Sequence, residues 1–173
     1  AFEVDRAGII WASSGWTGLT KFDGTNWETF NDANSGLPTN GVFHIIADLN
    51  NHLWLATYKG LVKYDGSNWK KKKKTDDGTP LINNISKMAI DSSNNLWLGS
   101  HVYNGFAGLI KYDGLNWKQY ISQNSQIAGS IVNSISVDTY DNKWLGVAGN
   151  TSNPELRVDG LNIYREGGVI LTT

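Results

Sequence analysis

An Asp and a Trp six residues apart return four times along this 173-residue chain, as Asp5 and Trp11, Asp48 and Trp54, Asp91 and Trp97, and Asp138 and Trp144. The Trp positions step by 43, 43 and 47 residues, the span of one four-stranded antiparallel sheet per repeat. A second motif follows in each unit: Phe22-Asp23-Gly24-Thr25-Asn26-Trp27, Tyr64-Asp65-Gly66-Ser67-Asn68-Trp69, Tyr112-Asp113-Gly114-Leu115-Asn116-Trp117 and a degraded Val158-Asp159-Gly160-Leu161-Asn162-Ile163. Asp-Gly supplies the positive φ of a tight turn while the flanking aromatic residues favour strands, so each copy is expected to join two antiparallel strands. Gly18-Leu19, Gly60-Leu61 and Gly108-Leu109 precede it and open the third strand; the fourth unit keeps only Leu156.

Each unit thus reads as strands a, b, c and d, with the Trp on b and Asp-Gly between c and d. Strand a alternates, as in Val42, His44, Ile46 and Ile85, Lys87, Ala89, with apolar residues at intervening positions too. Strands covered on both faces by neighbouring sheets have that pattern. Helical spacing appears nowhere. The expected fold is all-β: a single β-propeller segment over 1–173, with about four four-stranded blades at 1–30, 42–72, 84–120 and 132–165. Residues 166–173 begin a further strand or a linker. An incomplete ring is expected, part of a larger one, so additional blades, a partner chain or self-association would cover the apolar faces of the terminal blades.

A formal charge of -1 gives no electrostatic reason to expect nucleic acid or an anionic membrane as partner. No apolar stretch is long enough for a membrane span. With no cysteine, disulfides, thiolate metal sites and Cys nucleophiles are excluded. Because the chain opens at Ala1 in what already reads as a strand, a processed product or a piece of a longer protein is expected.

The sequence predicts no catalytic residue, cofactor or metal. His44 falls in an interior strand, His52 follows an a–b turn and His101 sits in a long loop, with no spacing that converges on a metal. The repeated Asp has oxygen-rich neighbours, as in Asp138-Thr139-Tyr140-Asp141-Asn142, but a turn-capping Asp recurs in every blade for structural reasons, and these short turns hold too few oxygens for calcium. The Asp-Gly hairpin is similar to the Asp-box of sialidases, yet there one residue separates Asp from Gly, and the arginines here are only Arg6, Arg157 and Arg165. No Gly-x-Ser-x-Gly elbow or phosphate-cradling loop is present. The basic run Lys70 to Lys74 reads as a solvated outer edge, although position 72 is expected to be aromatic by comparison with Phe30 and Tyr120.

In blades of this order the a–b and c–d turns share one face, and the b–c and d–a loops share the other. The second face carries the irregular segments, and variable loops on a regular scaffold are where binding resides. Trp16, Tyr103 and Phe106 are candidate stacking platforms there, with His101 and Asn104 in the same loop as Tyr103 and Phe106. The ligand expected is a polar one such as a glycan, or a protein partner. Packing of these aromatics on a neighbouring blade is the competing reading.

The repeats resemble the two-component regulator propeller family, on Leu53-Trp54-Leu55-Ala56-Thr57, Leu96-Trp97-Leu98-Gly99-Ser100, the Tyr-Asp-Gly-x-x-Trp hairpins and Asn34-Ser35-Gly36-Leu37-Pro38-Thr39-Asn40. The resemblance covers nearly the whole chain. Departures are Asp77-Gly78-Thr79-Pro80-Leu81 in the second unit, a lost Pro in the third, and a lost second Trp in the fourth. The resemblance implies an extracytoplasmic β-propeller, periplasmic, surface-bound or secreted, of Bacteroidetes type. Its implied role is non-enzymatic recognition in the sensor region of a hybrid two-component system, with the scaffold of a type IX-exported surface protein as alternative and a propeller lyase or glycoside hydrolase as a third class. Tyr164-Arg165-Glu166-Gly167-Gly168-Val169 is similar to segments leading to a type IX sorting domain; the alternative is the first strand of a further blade.

Overall fold

The computed structural model describes residues 1–72, 85–100, 108–121, 124–127, 131–148, 160–165 and 168–172. Among them there are strands and turns and no helix. The first sheet is β1 (Phe2–Val4), β2 (Ile10–Ala12), β3 (Leu19–Phe22) and β4 (Trp27–Phe30). The second is β5 (Val42–Ala47), β6 (Leu53–Thr57), β7 (Gly60–Tyr64) and β8 (Trp69–Lys71). The third is β9 (Ile85–Ile90), β10 (Leu96–Ser100), β11 (Gly108–Tyr112) and β12 (Trp117–Tyr120). The fourth is β13 (Ile131–Val137), β14 (Lys143–Ala148), β15 (Gly160–Arg165) and β16 (Gly168–Thr172). Within each sheet the strands lie in chain order and pair antiparallel, which makes each an a-b-c-d blade. The chain divides into two compact units, one holding β1–β8 and the other β9–β16.

The Asp of each repeat builds the a–b turn. One carboxylate oxygen accepts two turn amides: Ala7 and Ile9 on Asp5, Asn50 and His52 on Asp48, Ser93 and Asn95 on Asp91, and Tyr140 and Asn142 on Asp138. The other accepts the indole N–H six residues on, from Trp11 at 2.9 Å, Trp54 at 3.1 Å, Trp97 at 2.8 Å and Trp144 at 2.8 Å. The six-residue spacing is therefore a hydrogen bond across the first hairpin, satisfying the only polar atom of a core Trp. Asn51, Asn94 and Asp141 close these turns at φ of 61°, 64° and 61°. In the first unit Asn51 Oδ1 accepts the Arg6 amide at 2.8 Å, and in the second Asp141 Oδ1 accepts the Ser92 amide at 2.9 Å, so a turn residue of one blade caps the turn of its neighbour.

The c–d hairpins are equally regular. Asp23, Asp65 and Asp113 each accept two amides of their own turn, and Gly24, Gly66 and Gly114 supply the positive φ.

Each core Trp packs against several cations or rings. Lys21, Lys63 and Lys111, from strand c, lie 6.0, 5.0 and 5.4 Å from the ring centres of Trp11, Trp54 and Trp97. From strand d, Phe30 reaches Trp11 at 6.0 Å and Tyr120 reaches Trp97 at 5.8 Å. The neighbouring blade adds Tyr64 to Trp11 and Tyr164 to Trp97. Lys72, read in the sequence as part of a solvated tract, instead takes the place of Phe30 and Tyr120: its Nζ lies 5.7 Å from the centre of Trp54. A cation over an indole face replaces the missing aromatic contact there. Lys73 and Lys74 lie outside the described residues.

The fourth repeat departs from the sequence reading. Gly160 pairs with Val147 as Gly60 pairs with Thr57, and Tyr164 pairs with Lys143 as Tyr64 pairs with Leu53. Gly160-Leu161 thus opens strand c and is not the c–d turn assigned to Asp159-Gly160. Gly168–Thr172, expected to begin a further strand or linker, pairs with β15 and completes the fourth sheet. Trp144 is 38% exposed, against 5%, 4% and 0% for Trp11, Trp54 and Trp97.

Candidate functional site: an exposed aromatic platform

In the first unit the b–c loops and the start of β5 meet through main-chain and short side-chain hydrogen bonds. Gly18 N–H donates to Asn40 O at 3.1 Å, Tyr58 N–H to Gly41 O at 3.0 Å, and Ser13 Oγ–H to Val42 O at 2.6 Å. Residues 40–42 are therefore pinned by the first blade and by their own.

Three aromatic side chains stand on this frame. Trp16 comes from the β2–β3 loop, where Gly15 turns at φ 61° and Thr17 Oγ1 donates to Ser14 O at 3.1 Å. Tyr58 comes from the β6–β7 turn. Phe43 sits at a β-bulge, since Val42 pairs with Thr57 and His44 with Ala56, and a bulge re-aims the unpaired residue. The ring centres are 5.4 Å apart for Trp16 and Tyr58, 6.5 Å for Trp16 and Phe43, and 6.4 Å for Phe43 and Tyr58, all edge-on. Gly41 lies beneath the indole: a Cβ there would come within 2.8 Å of Trp16 Cζ3.

Despite this mutual packing, Trp16, Phe43 and Tyr58 remain 62%, 48% and 66% exposed. Soluble surfaces seldom group three large aromatics, and rings held edge to edge present flat apolar faces to solvent. The hydroxyls of Ser14 and Thr17 sit beside Trp16 in the same loop, 3.2 Å apart. Such a surface can stack on the C–H face of a sugar or on another apolar ring while polar groups at its edge accept and donate hydrogen bonds.

Of the residues singled out in the sequence, Trp16 lies in this platform, packed against Phe43 and Tyr58 yet open to solvent. His101, Tyr103, Asn104 and Phe106 lie outside the described residues. Phe43 was missed, because alternation along strand a put it on a covered face and only the bulge turns it outward. Tyr58 was not among the chosen residues, although it lies in the b–c connection of the second blade. Among the described residues no group of three or more His, Asp or Glu is placed to hold a metal ion, and no helix is long and apolar enough to cross a membrane.

The four sheets are blades of a β-propeller, about four in number. The chain is similar to the extracellular domain of the hybrid two-component system BT3049 from B. thetaiotaomicron, with 20% identity and a TM-score of 0.76, over 100% of this chain and 22% of that one. It is also similar to PorZ, an essential surface component of the type-IX secretion system of Porphyromonas gingivalis, with 16% identity and a TM-score of 0.59, over 96% of this chain and 26% of that one. A third neighbour is an ancestral GH74 enzyme, with 17% identity and a TM-score of 0.56, over 99% of this chain and 26% of that one. The chain thus spans about a fifth to a quarter of these proteins. No family model matches it, and no curated protein does. The propeller expected from the Asp and Trp repeat, and its resemblance to two-component regulator propellers, agree in fold with these neighbours. One fold shared by the extracellular domain of a two-component system, a secretion-system component and an enzyme leaves function to the site.

Proposed function

We propose that the chain is a non-enzymatic recognition module of an extracytoplasmic protein, and that it holds its ligand on the b–c and d–a face through Trp16, Phe43 and Tyr58. The observation that carries this reading is the exposure of three mutually packed aromatics on a hydrogen-bonded frame. The extracellular two-component neighbours support the location and a sensor role. The ligand class that suits the platform is a neutral glycan, bound by stacking without metal. His101, Tyr103, Asn104 and Phe106, which lie in sequence between β10 and β11, are proposed as ligand-binding residues on the sequence reading alone. Further blades or a partner chain cover the terminal faces, a reading supported by the exposure of Trp144. PorZ favours one second reading, a scaffold of a type IX-exported surface protein.

A glycan array, run with and without chelator, tests the proposal on wild type, on Trp16→Ala and Tyr58→Ala, and on Tyr103→Ala and Phe106→Ala. Binding that survives chelator and falls at least tenfold in the first pair is expected. Folded protein that binds no glycan favours the scaffold, and hydrolysis of a bound glycan overturns the non-enzymatic reading.

A further inference from the structure

The lysine that approaches the core Trp from strand c faces a carboxylate in the first blade and a second lysine in the third. Lys21 pairs with Glu28 across β3 and β4, and its ammonium reaches Glu28 Oε2 at 3.4 Å. At the same register position Lys111 pairs with Lys118 across β11 and β12. Like charges directly opposite on a sheet repel each other. The neighbouring blade adds a further cation, because Lys143 on β14, opposite Tyr164, holds the position that Leu53 holds on β6, opposite Tyr64.

These charges gather around one pair of rings. Trp97 and Tyr120 are stacked with centres 5.8 Å apart. Lys111 Nζ lies 5.4 Å and Lys143 Nζ 4.7 Å from the centre of Trp97, while Lys118 Nζ lies 5.0 Å from the centre of Tyr120. Lys143, the innermost, faces Asp91 at 3.7 Å, and both are buried. Lys118, the outermost, is exposed and makes no ion pair with a described residue.

An open cleft of about 320 Å³ lies against the two opposed lysines, lined by Lys111, Asp113, Asn116, Trp117, Lys118 and Tyr120. Its size is at the small end of small-molecule sites. Asp113 brings a carboxylate to the lining, but its oxygens serve its own hairpin. Oδ1 accepts from the Leu115 and Asn116 amides, and Oδ2 accepts from Asn116 Nδ2 at 3.2 Å. The first blade has the same turn carboxylate, Asp23, and holds Glu28 in addition. The turn is therefore no substitute for the carboxylate that Lys118 has replaced. A concave surface lined by cations concentrates anions, and a carboxylate placed between ammonium groups accepts charge-assisted hydrogen bonds.

We infer that this cleft on the third blade binds a small carboxylic acid, whose carboxylate meets Lys118 and Lys111 as Glu28 meets Lys21 in the first blade. The site is separate from the aromatic platform and does not rest on it. Electrostatic attraction at an exposed rim carries the binding, so added salt weakens it.

NMR titration at low salt with glutarate, with its neutral diamide and with sulfate tests the inference on wild type, Lys118→Gln and Lys118→Glu. Glutarate is expected to bind wild type at least tenfold more tightly than the diamide does. Its affinity should fall at least tenfold in Lys118→Glu, with Lys118→Gln between. The urea midpoint of Lys118→Glu should be unchanged or higher, because Glu at that position restores the cross-strand pairing of the first blade. This separates lost binding from lost folding. Equal binding of glutarate and its diamide, or undiminished binding to folded Lys118→Glu, overturns the inference. Sulfate bound as tightly as glutarate overturns the carboxylate assignment. A Gly-Glu-Gly peptide with blocked ends that binds more than tenfold tighter than glutarate overturns the small-acid reading in favour of a protein side chain.

Discussion

The indole N–H of Trp97 donates to Asp91 Oδ2 at 2.8 Å, and both residues are buried. The same carboxylate faces the Lys143 ammonium at 3.7 Å, and that ammonium lies 4.7 Å from the centre of the Trp97 ring. One Asp thereby closes its own turn, holds the core Trp and receives a cation from the next blade.

Asp91→Ala leaves a buried indole N–H and two turn amides without their acceptor, and it leaves Lys143 buried without its counter-charge. A loss of about 3 kcal/mol or more is expected. Trp97→Ala should cost about 3–5 kcal/mol, and Trp144→Ala clearly less, because that ring is 38% exposed. Urea denaturation of the three variants reads the order.

Acid should weaken the fold through the turn carboxylates of Asp138 and Asp48. At Asp138 the hydrogen bonds from Trp144 and Asn142 lower the pKa from 3.8 to about 2. At Asp48 burial raises the pKa, but the bonds from His52 and Trp54 and the nearby Lys63 charge outweigh it, and the pKa is again lowered. A depressed folded pKa stabilises the protein above the unfolded value and the gain is lost as pH falls through the folded one. Stability should therefore be flat at neutral pH and fall between the ordinary 3.8 and about 2. Urea midpoints across that window check it, and Asp138→Asn should flatten part of the fall.

Lys72 occupies the place of an aromatic over Trp54. Lys72→Phe should leave stability unchanged or slightly raised, since Phe30 fills the matching position in the first blade. Lys72→Glu should cost about 1 kcal/mol by placing an anion against the ring face. Thermal denaturation distinguishes the pair.

The blades were legible because a hydrogen bond fixes the spacing of Asp and Trp, and because Asp-Gly hairpins need their residues in that order. Where two physical readings shared a motif, sequence was ambiguous. Asp159-Gly160 matches the hairpin, but Gly160-Leu161 matches the opening of strand c equally well, and only the pairing of Tyr164 with Lys143 decides. Lys21, Lys63 and Lys111 precede every intact Tyr-Asp-Gly or Phe-Asp-Gly motif, a signal that could have revealed the cations over the Trp rings. At the candidate site Trp16 was visible as an aromatic in a Gly-bounded loop. Phe43 was not, since a bulge changes the facing of a residue without changing the pattern of its strand.

The bulge also offers the most direct test of the recognition site. The third strand a has a register shift at the matching place, where Ser86 is left between Ile85 and Lys87. Phe43→Ser therefore installs a residue type that this scaffold already carries there, at an exposed position. Isothermal titration of the best glycan from the array against wild type and Phe43→Ser should show affinity falling at least tenfold, with the urea midpoint changed by no more than about 0.5 kcal/mol equivalent. Equal affinity in the two proteins would contradict the assignment of the ligand to the Trp16, Phe43 and Tyr58 platform.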